Sequence, residues 1–241
     1  MQAIVTGGAI RVGKAISLNL AAQGYDIILI YNSSKEEALE TSAAIEKLGK
    51  KAYPYQCDIS NKANLDDLFS KLEKNHGGIK LLVNNSAIFE RYSFLETTED
   101  IFDRHMDINF KAPFFLTQLF ERYSNQRAIK NSNIINIIDT NVFRSGQSHF
   151  AYLLSKKSLH ELTLMSARAL APKIRVNCIS IGMFLPSEKE FSLDEFKQRE
   201  ANTPLKKVPA LSDLTNAINY LDNSEYLTGQ NIFLDSGSHL L

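Results

Sequence analysis

The sequence predicts an α/β domain in which a parallel sheet of about seven strands carries helices on both faces. Short apolar runs typical of buried strands alternate with segments of helical periodicity along the chain. A glycine turn follows the first predicted strand directly. No composition shift, internal repeat or low-complexity tract marks a domain boundary in the 241 residues. We therefore expect one Rossmann-like, doubly wound domain over residues 1–241, with right-handed crossovers.

The first half of the chain predicts four strands and three helices. The predicted strands are Gln2–Thr6, Ile27–Ile30, Ala52–Gln56 and Leu81–Val83, and the predicted helices are Val12–Gln23, Ser34–Leu48 and Leu65–Lys74. Gly24 and Gly49 are expected just past the ends of the first two helices, where a left-handed backbone favours glycine. Ser34 and Glu37 have the spacing of a capping box.

The second half begins with a predicted capping box of Thr97 and Asp100, which opens a long helix to about Tyr123. The remaining predicted elements are the strand Ile134–Ile138, the helix Ala151–Ala171, the strand Ile174–Ile179 and the strand Ile232–Leu234. Pro172 is expected to end the preceding helix. The irregular stretch 183–209 follows a strand end, where doubly wound sheets bind ligands, so we expect it to be a substrate lid.

Composition and charge narrow the functional classes. The net charge is zero without a basic run, which disfavours nucleic acid and anionic membranes as partners. No leader-like segment or long apolar run occurs, so a cytoplasmic protein acting on small molecules is expected. Cys57 and Cys178 are expected to be buried free thiols, and no residue spacing suits a metal site.

Asp139, Tyr152 and Lys156 are the candidate reacting group. Asp139 follows a predicted strand, and Tyr152 and Lys156 stand at i and i+4 on the next helix, so they share a face. An adjacent ammonium favours phenolate and lowers the pKa of the tyrosine hydroxyl. The group can therefore carry out acid-base chemistry. A surface Tyr and Lys one helical turn apart is the plainer alternative.

The glycine turn is a candidate phosphate site. Gly7, Arg11, Val12 and Gly13 lie between a strand and a helix, so backbone N–H groups and the helix dipole face an anion. The second strand ends in Tyr31, Asn32, Ser33 and Ser34 without the acid that accepts from the ribose hydroxyl of NAD. Serine donors and the charge of Lys35 favour NADPH.

Pro113 lies four residues after Asn109 inside a predicted helix. Proline has no N–H, so the carbonyl of Asn109 loses its normal partner and can hold a water. A simple helix kink is the alternative interpretation.

These motifs resemble the short-chain dehydrogenase/reductase family over most of the chain. The family's usual sites are a Ser, then Tyr-x3-Lys thirteen residues later, after a TGxxxGxG turn. Here Asp139 stands at the Ser position and Arg11 at the middle glycine, and both departures resemble pteridine reductases and dihydromonapterin reductases. Ile181-Gly182 stands where Pro-Gly is usual, and Ala87 replaces a Ser that contacts pterin in some pteridine reductases.

The resemblance implies roles for further residues. Asn109 would join Asp139, Tyr152 and Lys156 as the catalytic tetrad, and Phe89 would stack on the substrate ring. The implied cofactor-binding residues are Gly7, Arg11, Val12, Gly13, Tyr31, Asn32, Ser33, Ser34, Asp58, Ile59, Asn85, Ser86, Tyr152, Lys156 and Gly182. The implied substrate-binding residues are Arg11, Ala87, Phe89, Asp139, Tyr152, Met183 and Phe184.

Three functions follow as hypotheses. The first is an NADPH-dependent reductase of a pterin ring, acting on a dihydropterin such as dihydromonapterin and extending to dihydrofolate. The second is a carbonyl reductase of the 3-oxoacyl type, and the third a non-catalytic NADP-binding regulator. The resemblance also implies a homotetramer packed through the long helices after Thr97 and Phe150.

Overall fold

The computed structural model describes residues 1–144, 148–184 and 192–241. Its strands are β1 (Gln2–Thr6), β2 (Asp26–Tyr31), β3 (Ala52–Gln56), β4 (Ile79–Asn84), β5 (Ser132–Asp139), β6 (Ile174–Ile181) and β7 (Asn231–Leu234). They form one sheet in the order β3-β2-β1-β4-β5-β6-β7, and every neighbouring pair is parallel. The predicted doubly wound parallel sheet is confirmed.

Helices connect the strands across both faces. They are α1 (Arg11–Ala22), α2 (Lys35–Lys47), α3 (Lys62–Asn75), α4 (Glu99–Met106), α5 (Ala112–Gln126), α6 (Phe150–Leu170), α7 (Leu193–Asn202) and α8 (Leu211–Asn223). Successive strand residues point to opposite faces, so each buried strand serves two cores. Val5 packs in the cluster that contains Ile16 of α1, whereas Ile4 packs with Phe69 of α3 and Phe120 of α5.

A π-helical segment, Asp107–Lys111, interrupts the helix predicted to run unbroken from Thr97 to Tyr123. The N–H of Ala112 bonds to the carbonyl of Asp107, five residues back. Pro113 follows Ala112 and has no N–H to donate. The helix disruption predicted from this proline therefore appears as a wider, π-helical turn. Such segments occur frequently at functional sites, and this one holds Asn109 in the core.

The N-terminus of α4 differs by one residue from the prediction. Thr98 is the capping residue, and its hydroxyl accepts from the N–H of Ile101 at 3.4 Å. The hydroxyl of Thr97 instead donates to the carbonyl of Ser93 at 2.7 Å. Thr97 and Thr98 have the same side chain and could both cap the helix. Because Thr97 is bonded to Ser93, Thr98 is the residue that caps it.

Two other helix starts also differ. Ser34 occupies the capping position of α2, but its side chain makes no capping bond, so the predicted capping box with Glu37 is wrong. The backbone of Ser34, at φ −82° and ψ 62°, lies outside the extended region that capping residues adopt. Asn61 caps α3 by accepting from the N–H of Ala63 at 2.9 Å, which starts that helix at Lys62, earlier than predicted.

Both cysteines are buried free thiols, as predicted. Burial raises the pKa of Cys57 to about 11 and the pKa of Cys178 to about 12. The thiolate is the reactive form, so neither thiol is a nucleophile near neutral pH. Across the described ranges, no helix combines the length and apolar character that a bilayer crossing requires.

Candidate active site

Asp139 and Tyr152 meet at the carboxyl edge of the sheet. Asp139 is the last residue of β5, and Tyr152 lies in the first turn of α6. The Tyr152 hydroxyl donates to Oδ2 of Asp139 at 3.0 Å, and the tyrosine is only 7% exposed. The two groups predicted from sequence to share the chemistry are therefore in direct contact, with the tyrosine buried and Asp139 half-buried.

The second oxygen of Asp139 is also occupied. Oδ1 accepts from the backbone N–H of Asn141 at 2.7 Å and from its side-chain amide at 2.8 Å. These bonds cap the short 3₁₀ turn Thr140–Phe143 and fix the carboxylate plane. Oδ2 is thereby held in place to receive the tyrosine.

Lys156 lies one turn further along α6 and is 3% exposed. Its Nζ donates to the carbonyl of Ile137 at 2.9 Å. Burial lowers the pKa of Lys156 to about 8, and the Asp139 carboxylate opposes that shift. An ammonium so close to titration suits a group that passes or positions protons near neutral pH.

Asn109 connects two elements that border the site. Its Oδ1 accepts from the N–H of Ile88 at 2.9 Å, and its Nδ2 donates to the Ile88 carbonyl and to Oγ of Ser155, both at 3.0 Å. The side chain thus ties the loop after β4 to α6 and is fully buried. The predicted role of its backbone carbonyl in holding a water stays a prediction.

Phe89 stands over the tyrosine. Its ring lies edge-on to Tyr152, with centroids 4.6 Å apart, and stacks flat on His149 at 4.4 Å and 5°. His149 has a left-handed backbone, with φ 59°, directly before α6. Burial lowers the pKa of His149, and the nearby Arg91 lowers it further, so the imidazole is neutral at pH 7.

A cavity of about 860 Å³ opens above the Asp139–Tyr152 pair. All seven residues predicted to bind substrate line it: Arg11, Ala87, Phe89, Asp139, Tyr152, Met183 and Phe184. The described part of the predicted lid also borders it through Arg199 and Thr203, while residues 185–191 of that stretch lie outside the described residues. The structure therefore gathers the candidate reacting and substrate residues around one space.

The glycine turn is built for close backbone approach. Gly7 has φ +62°, and a Cβ at Gly13 would lie 1.9 Å from the Gly7 carbonyl oxygen. Arg11 has φ +48°, so it keeps the left-handed backbone expected of the glycine it replaces. Both Arg11 and Val12 line the cavity, at the start of α1.

Thr6 and Asn85 join this turn to the end of β4. The Thr6 hydroxyl accepts from the N–H groups of Asn85 and Ser86, at 2.9 and 3.0 Å. The Asn85 amide donates to the carbonyls of Thr6 and Gly7, at 3.0 and 3.3 Å. Since β1 and β4 meet where the strand order reverses, these bonds build the crevice in which such sheets bind nucleotides.

The remaining predicted cofactor residues lie along the same sheet edge. Asn32 and Ser33 are exposed beyond the end of β2, and Ser34 is half-buried and free of a capping role. Asp58 follows β3, and its Oδ1 accepts from the N–H and hydroxyl of Ser60, at 3.0 and 2.7 Å. Ile59 is buried beside it. Their cofactor roles stay predictions.

Gly182 directly follows β6 and lies next to Asp235, which directly follows β7. A Cβ at position 182 would lie 2.8 Å from Cβ of Asp235, so only glycine lets the two backbones approach. Its N–H bonds to the Leu234 carbonyl at 2.9 Å, and the residue lines the cavity.

The sequence motifs did not indicate several residues that line the cavity, among them His149, Arg91 and Arg144. His149 lies three residues before Tyr152 and Arg144 five residues after Asp139, so proximity to the predicted group was a usable signal. Arg91 follows Phe89 by two residues in an irregular loop, where side-chain direction is not readable from periodicity.

Comparison with known proteins covers nearly the whole chain. The family model described as enoyl-(acyl carrier protein) reductase matches residues 8–239. L-2,3-butanediol dehydrogenase of Corynebacterium glutamicum is 31% identical over 251 residues, covering 98% of this chain and 97% of its own length. The 3-oxoacyl-(acyl-carrier-protein) reductase FabG of Staphylococcus epidermidis is 27% identical and covers 99% of each chain.

Among solved structures, FolM alternative dihydrofolate reductase 1 from Brucella suis, in complex with NADP, is 32% identical with a TM-score of 0.93. The match covers 100% of this chain and 95% of that one. Sequence and structural likeness therefore agree on the fold, while the relatives named act on different substrates.

Proposed function

Since this chain belongs to the short-chain dehydrogenase/reductase family of oxidoreductases, we propose that it reduces a pterin ring with NADPH. One observation carries the proposal. A carboxylate, Asp139, stands where the family usually has a serine hydroxyl, and it binds the Tyr152 hydroxyl at 3.0 Å beneath the ring of Phe89. A flat heteroaromatic substrate needs both an aromatic surface and a polar group at its edge.

The nucleotide end fits a dinucleotide cofactor. The bare backbone of Gly7 and Gly13 and the start of α1 offer N–H groups to a pyrophosphate, and Arg11 adds a guanidinium beside them. Ser33 and Lys35 would hold the ribose phosphate at the end of β2, where no carboxylate repels it. The Brucella suis relative is in complex with NADP, which supports this choice.

The reaction adds a hydride to carbon and a proton to nitrogen across a ring C=N bond. Bound NADPH supplies the hydride. The Tyr152 hydroxyl holds a transferable proton within 3.0 Å of Asp139, and Lys156 stabilises the phenolate left behind when that proton moves. Asp139 positions the tyrosine and accepts from ring N–H groups. Asn109 fixes the loop that carries Ile88 and Phe89 against α6.

A carbonyl reductase of the 3-oxoacyl type is the second candidate. The FabG and butanediol dehydrogenase relatives favour it, since their names describe carbonyl and hydroxyl substrates. Ketone reduction needs the carbonyl oxygen polarised by hydroxyl donors. Asp139, which acts here only as an acceptor, does not supply one, and this disfavours the ketone reading. Intact Tyr152 and Lys156 argue against a non-catalytic regulator.

Direct assay distinguishes these functions. Purified protein is mixed with NADPH and either dihydromonapterin, dihydrofolate or an acetoacetyl thioester, and the loss of NADPH absorbance is followed. We expect kcat/KM for a dihydropterin to exceed that for the thioester by about ten-fold or more, which is about 1.4 kcal/mol in transition-state binding. A faster reaction with the thioester would establish the carbonyl reductase instead.

We further propose that the protein is a homotetramer. A groove of about 1240 Å³ runs along α5 and α6, and apolar side chains line much of it, including Phe114, Leu154 and Met165. Phe143, Leu154 and Met165 are all exposed in this groove, and an exposed apolar patch is typical of a protein interface. Sedimentation should give a tetramer, and Met165→Glu should dissociate it. A wild-type monomer at micromolar concentration would contradict the proposal.

A further inference from the structure

The cavity above Asp139 carries an excess of positive charge. Five cationic side chains line it, namely Arg11, Arg91, Arg144, Arg199 and Lys207, against the two acidic side chains Asp139 and Asp235. The whole chain has 27 basic and 27 acidic residues, so this excess is local. A concave surface of one sign concentrates ligands of the opposite sign.

Both carboxylates already accept hydrogen bonds from the protein. Asp139 accepts from Tyr152 and Asn141, as described above. Asp235 accepts from the Thr140 hydroxyl at 2.6 Å, from the N–H of Gly237 at 3.0 Å and from the N–H of His239 at 2.7 Å, and the His239 ring lies 2.9 Å from the same carboxylate. These bonds hold the loops that carry the two acids.

Arg144 has donors with no acceptor. Its Nε and Nη2 are buried and make no hydrogen bond within the described residues. Leaving a charged donor buried and unpaired costs free energy, so such a group calls for an explanation. Nε and Nη2 are adjacent donors on one edge of the guanidinium, the edge that binds a carboxylate or phosphate through two parallel bonds.

The backbone that carries Arg144 is fixed from α6. Lys157 Nζ donates to the carbonyl of Val142 at 2.5 Å and to the carbonyl of Arg144 at 2.9 Å. The Arg144 N–H bonds to the carbonyl of Asn141 at 3.0 Å. Asn141 in turn holds Asp139. The guanidinium is therefore attached through a short, rigid turn to the reacting carboxylate.

Arg91 adds positive charge near Phe89 and His149. It lies two residues after Phe89, is exposed, and lines the same cavity. Its charge contributes to the lowered pKa of His149, so it lies close to the imidazole stacked on Phe89. Positive charge thus stands near Phe89 as well as beyond Asp139.

We propose that Arg144 determines specificity by binding an anionic group on the ring substrate, a carboxylate or a phosphate, while Arg91 attracts that group electrostatically. This rests on the proposed pterin reduction and names the class of pterin: one with an anionic substituent. A neutral side chain would leave the Arg144 donor edge unpaired. Buried donors left unpaired by the wrong ligand are what gives a polar site strong discrimination.

The test compares three pterins in steady-state assays at saturating NADPH. Dihydrofolate carries carboxylates, dihydroneopterin monophosphate carries a phosphate, and dihydromonapterin has a neutral side chain. We expect wild-type kcat/KM to be about ten-fold or more higher for at least one anionic pterin than for the neutral one. Which anionic pterin leads identifies the carboxylate or the phosphate as the group recognised.

Two variants assign the preference to the guanidinium. Arg144→Gln should reduce the anionic-to-neutral ratio of kcat/KM by about ten-fold or more, and Arg144→Lys should restore part of it, because the charge returns without the paired donors. Arg168→Gln, which removes an arginine from α6 away from this cavity, is the matched control. Higher salt should lower kcat/KM for the anionic pterin more than for the neutral one.

The outcomes separate the two proposals. Wild-type preference for dihydromonapterin, or an equal loss on all three pterins in Arg144→Gln, would overturn the anionic subsite and leave pterin reduction standing. Oxidation of NADPH by an acetoacetyl thioester but by none of the pterins would overturn both. Thermal unfolding shows whether each variant is folded. If Arg144→Gln does not fold, the anionic-to-neutral ratio of Arg144→Lys decides the test.

Discussion

The Tyr152 hydroxyl and the Asp139 carboxylate share a hydrogen bond of 3.0 Å at the base of the cavity. The residue that departs from the family pattern thus contacts the expected proton donor. A serine at position 139 would offer a hydroxyl to a substrate carbonyl, whereas the carboxyl oxygens of Asp139 accept from Asn141 and Tyr152. The substitution changes what the site can bind as well as how its proton is held.

Replacing Tyr152 by Phe should nearly abolish turnover. The variant keeps the edge-on contact with Phe89 but removes the transferable proton. We expect kcat to fall by about 10²-fold or more, with the Kd for NADPH within a few-fold of wild type. Tyr220→Phe on α8, which alters an exposed tyrosine, is the control. A Tyr152→Phe enzyme with most of its rate intact would refute the assignment.

Asp139→Ser should separate pterin chemistry from ketone chemistry. We expect a loss of about ten-fold or more in dihydropterin kcat/KM, and a gain in ketone reduction as the restored hydroxyl polarises a carbonyl. The variant should fold and bind NADPH, because it changes only local bonds: those to Asn141 in the 3₁₀ turn and the one from the Tyr152 hydroxyl. Both activities are measured in wild type and variant. If Asp139→Ser reduces the dihydropterin as well as wild type does, the carbonyl reductase becomes the favoured function.

Activity should decline on the alkaline side of pH 8. Burial lowers the pKa of Lys156 to about 8, so the ammonium is present below that pH and lost as the pH rises through it. Above the pKa, kcat should fall by about ten-fold per pH unit, since the neutral amine no longer stabilises phenolate. Lys156→Arg, which stays charged, should shift this decline to higher pH even if its maximal rate is lower. An unshifted profile would assign the ionisation to another group.

Ser33→Asp should move cofactor preference from NADPH toward NADH. Ser33 is exposed just past β2, so a carboxylate there repels a ribose phosphate and accepts from a free ribose hydroxyl. The NADPH-to-NADH ratio of kcat/KM should fall by about ten-fold, equivalent to about 1.4 kcal/mol. Ser33→Ala controls for simple loss of the hydroxyl. If the wild-type enzyme works equally well with NADH, the end of β2 does not select for the ribose phosphate of NADPH.

Arg11→Gly and Arg11→Ala should differ in stability but agree in activity. Both remove the guanidinium from the cavity and should slow pterin turnover. Only glycine relieves the left-handed backbone at φ +48°, so its free energy of unfolding should exceed that of the alanine variant by about 1 kcal/mol. Chemical denaturation measures the difference. Equal stability of the two variants would show that this backbone carries no strain.

The sequence predicted the fold and the reacting group better than it predicted the surroundings of the group. The positions of the strands and the i, i+4 pairing of Tyr152 with Lys156 follow from local periodicity, which a single chain displays directly. The π segment around Asn109 was foreshadowed by Pro113, but a break of one extra residue leaves the helical pattern almost unchanged. The sequence pattern therefore predicted that the helix is disrupted near Asn109, but it did not predict the π-helical geometry.

Contacts between distant parts of the chain were the part that local reasoning missed. His149 stacks on Phe89, sixty residues away, from a left-handed backbone that is uncommon outside glycine. The capping role assigned to Ser34 failed because its backbone follows the end of β2 rather than the helix. Such features depend on tertiary placement, which single-sequence pattern does not encode.

The bonds from Thr6 and Asn85 to the glycine turn fix the shape of the nucleotide crevice. The substrate cavity lies outside this set of bonds, so its residues have more freedom to change. The bonds close the nucleotide crevice using residues up to position 86 alone. Among the described residues, the cavity proposed to select the substrate is lined largely by later ones, within 139–144, 148–153, 181–184 and 199–209. Substitutions at the cavity residues that do not hold the cofactor can therefore alter substrate specificity, while the bonds of Thr6 and Asn85 keep the glycine turn in place.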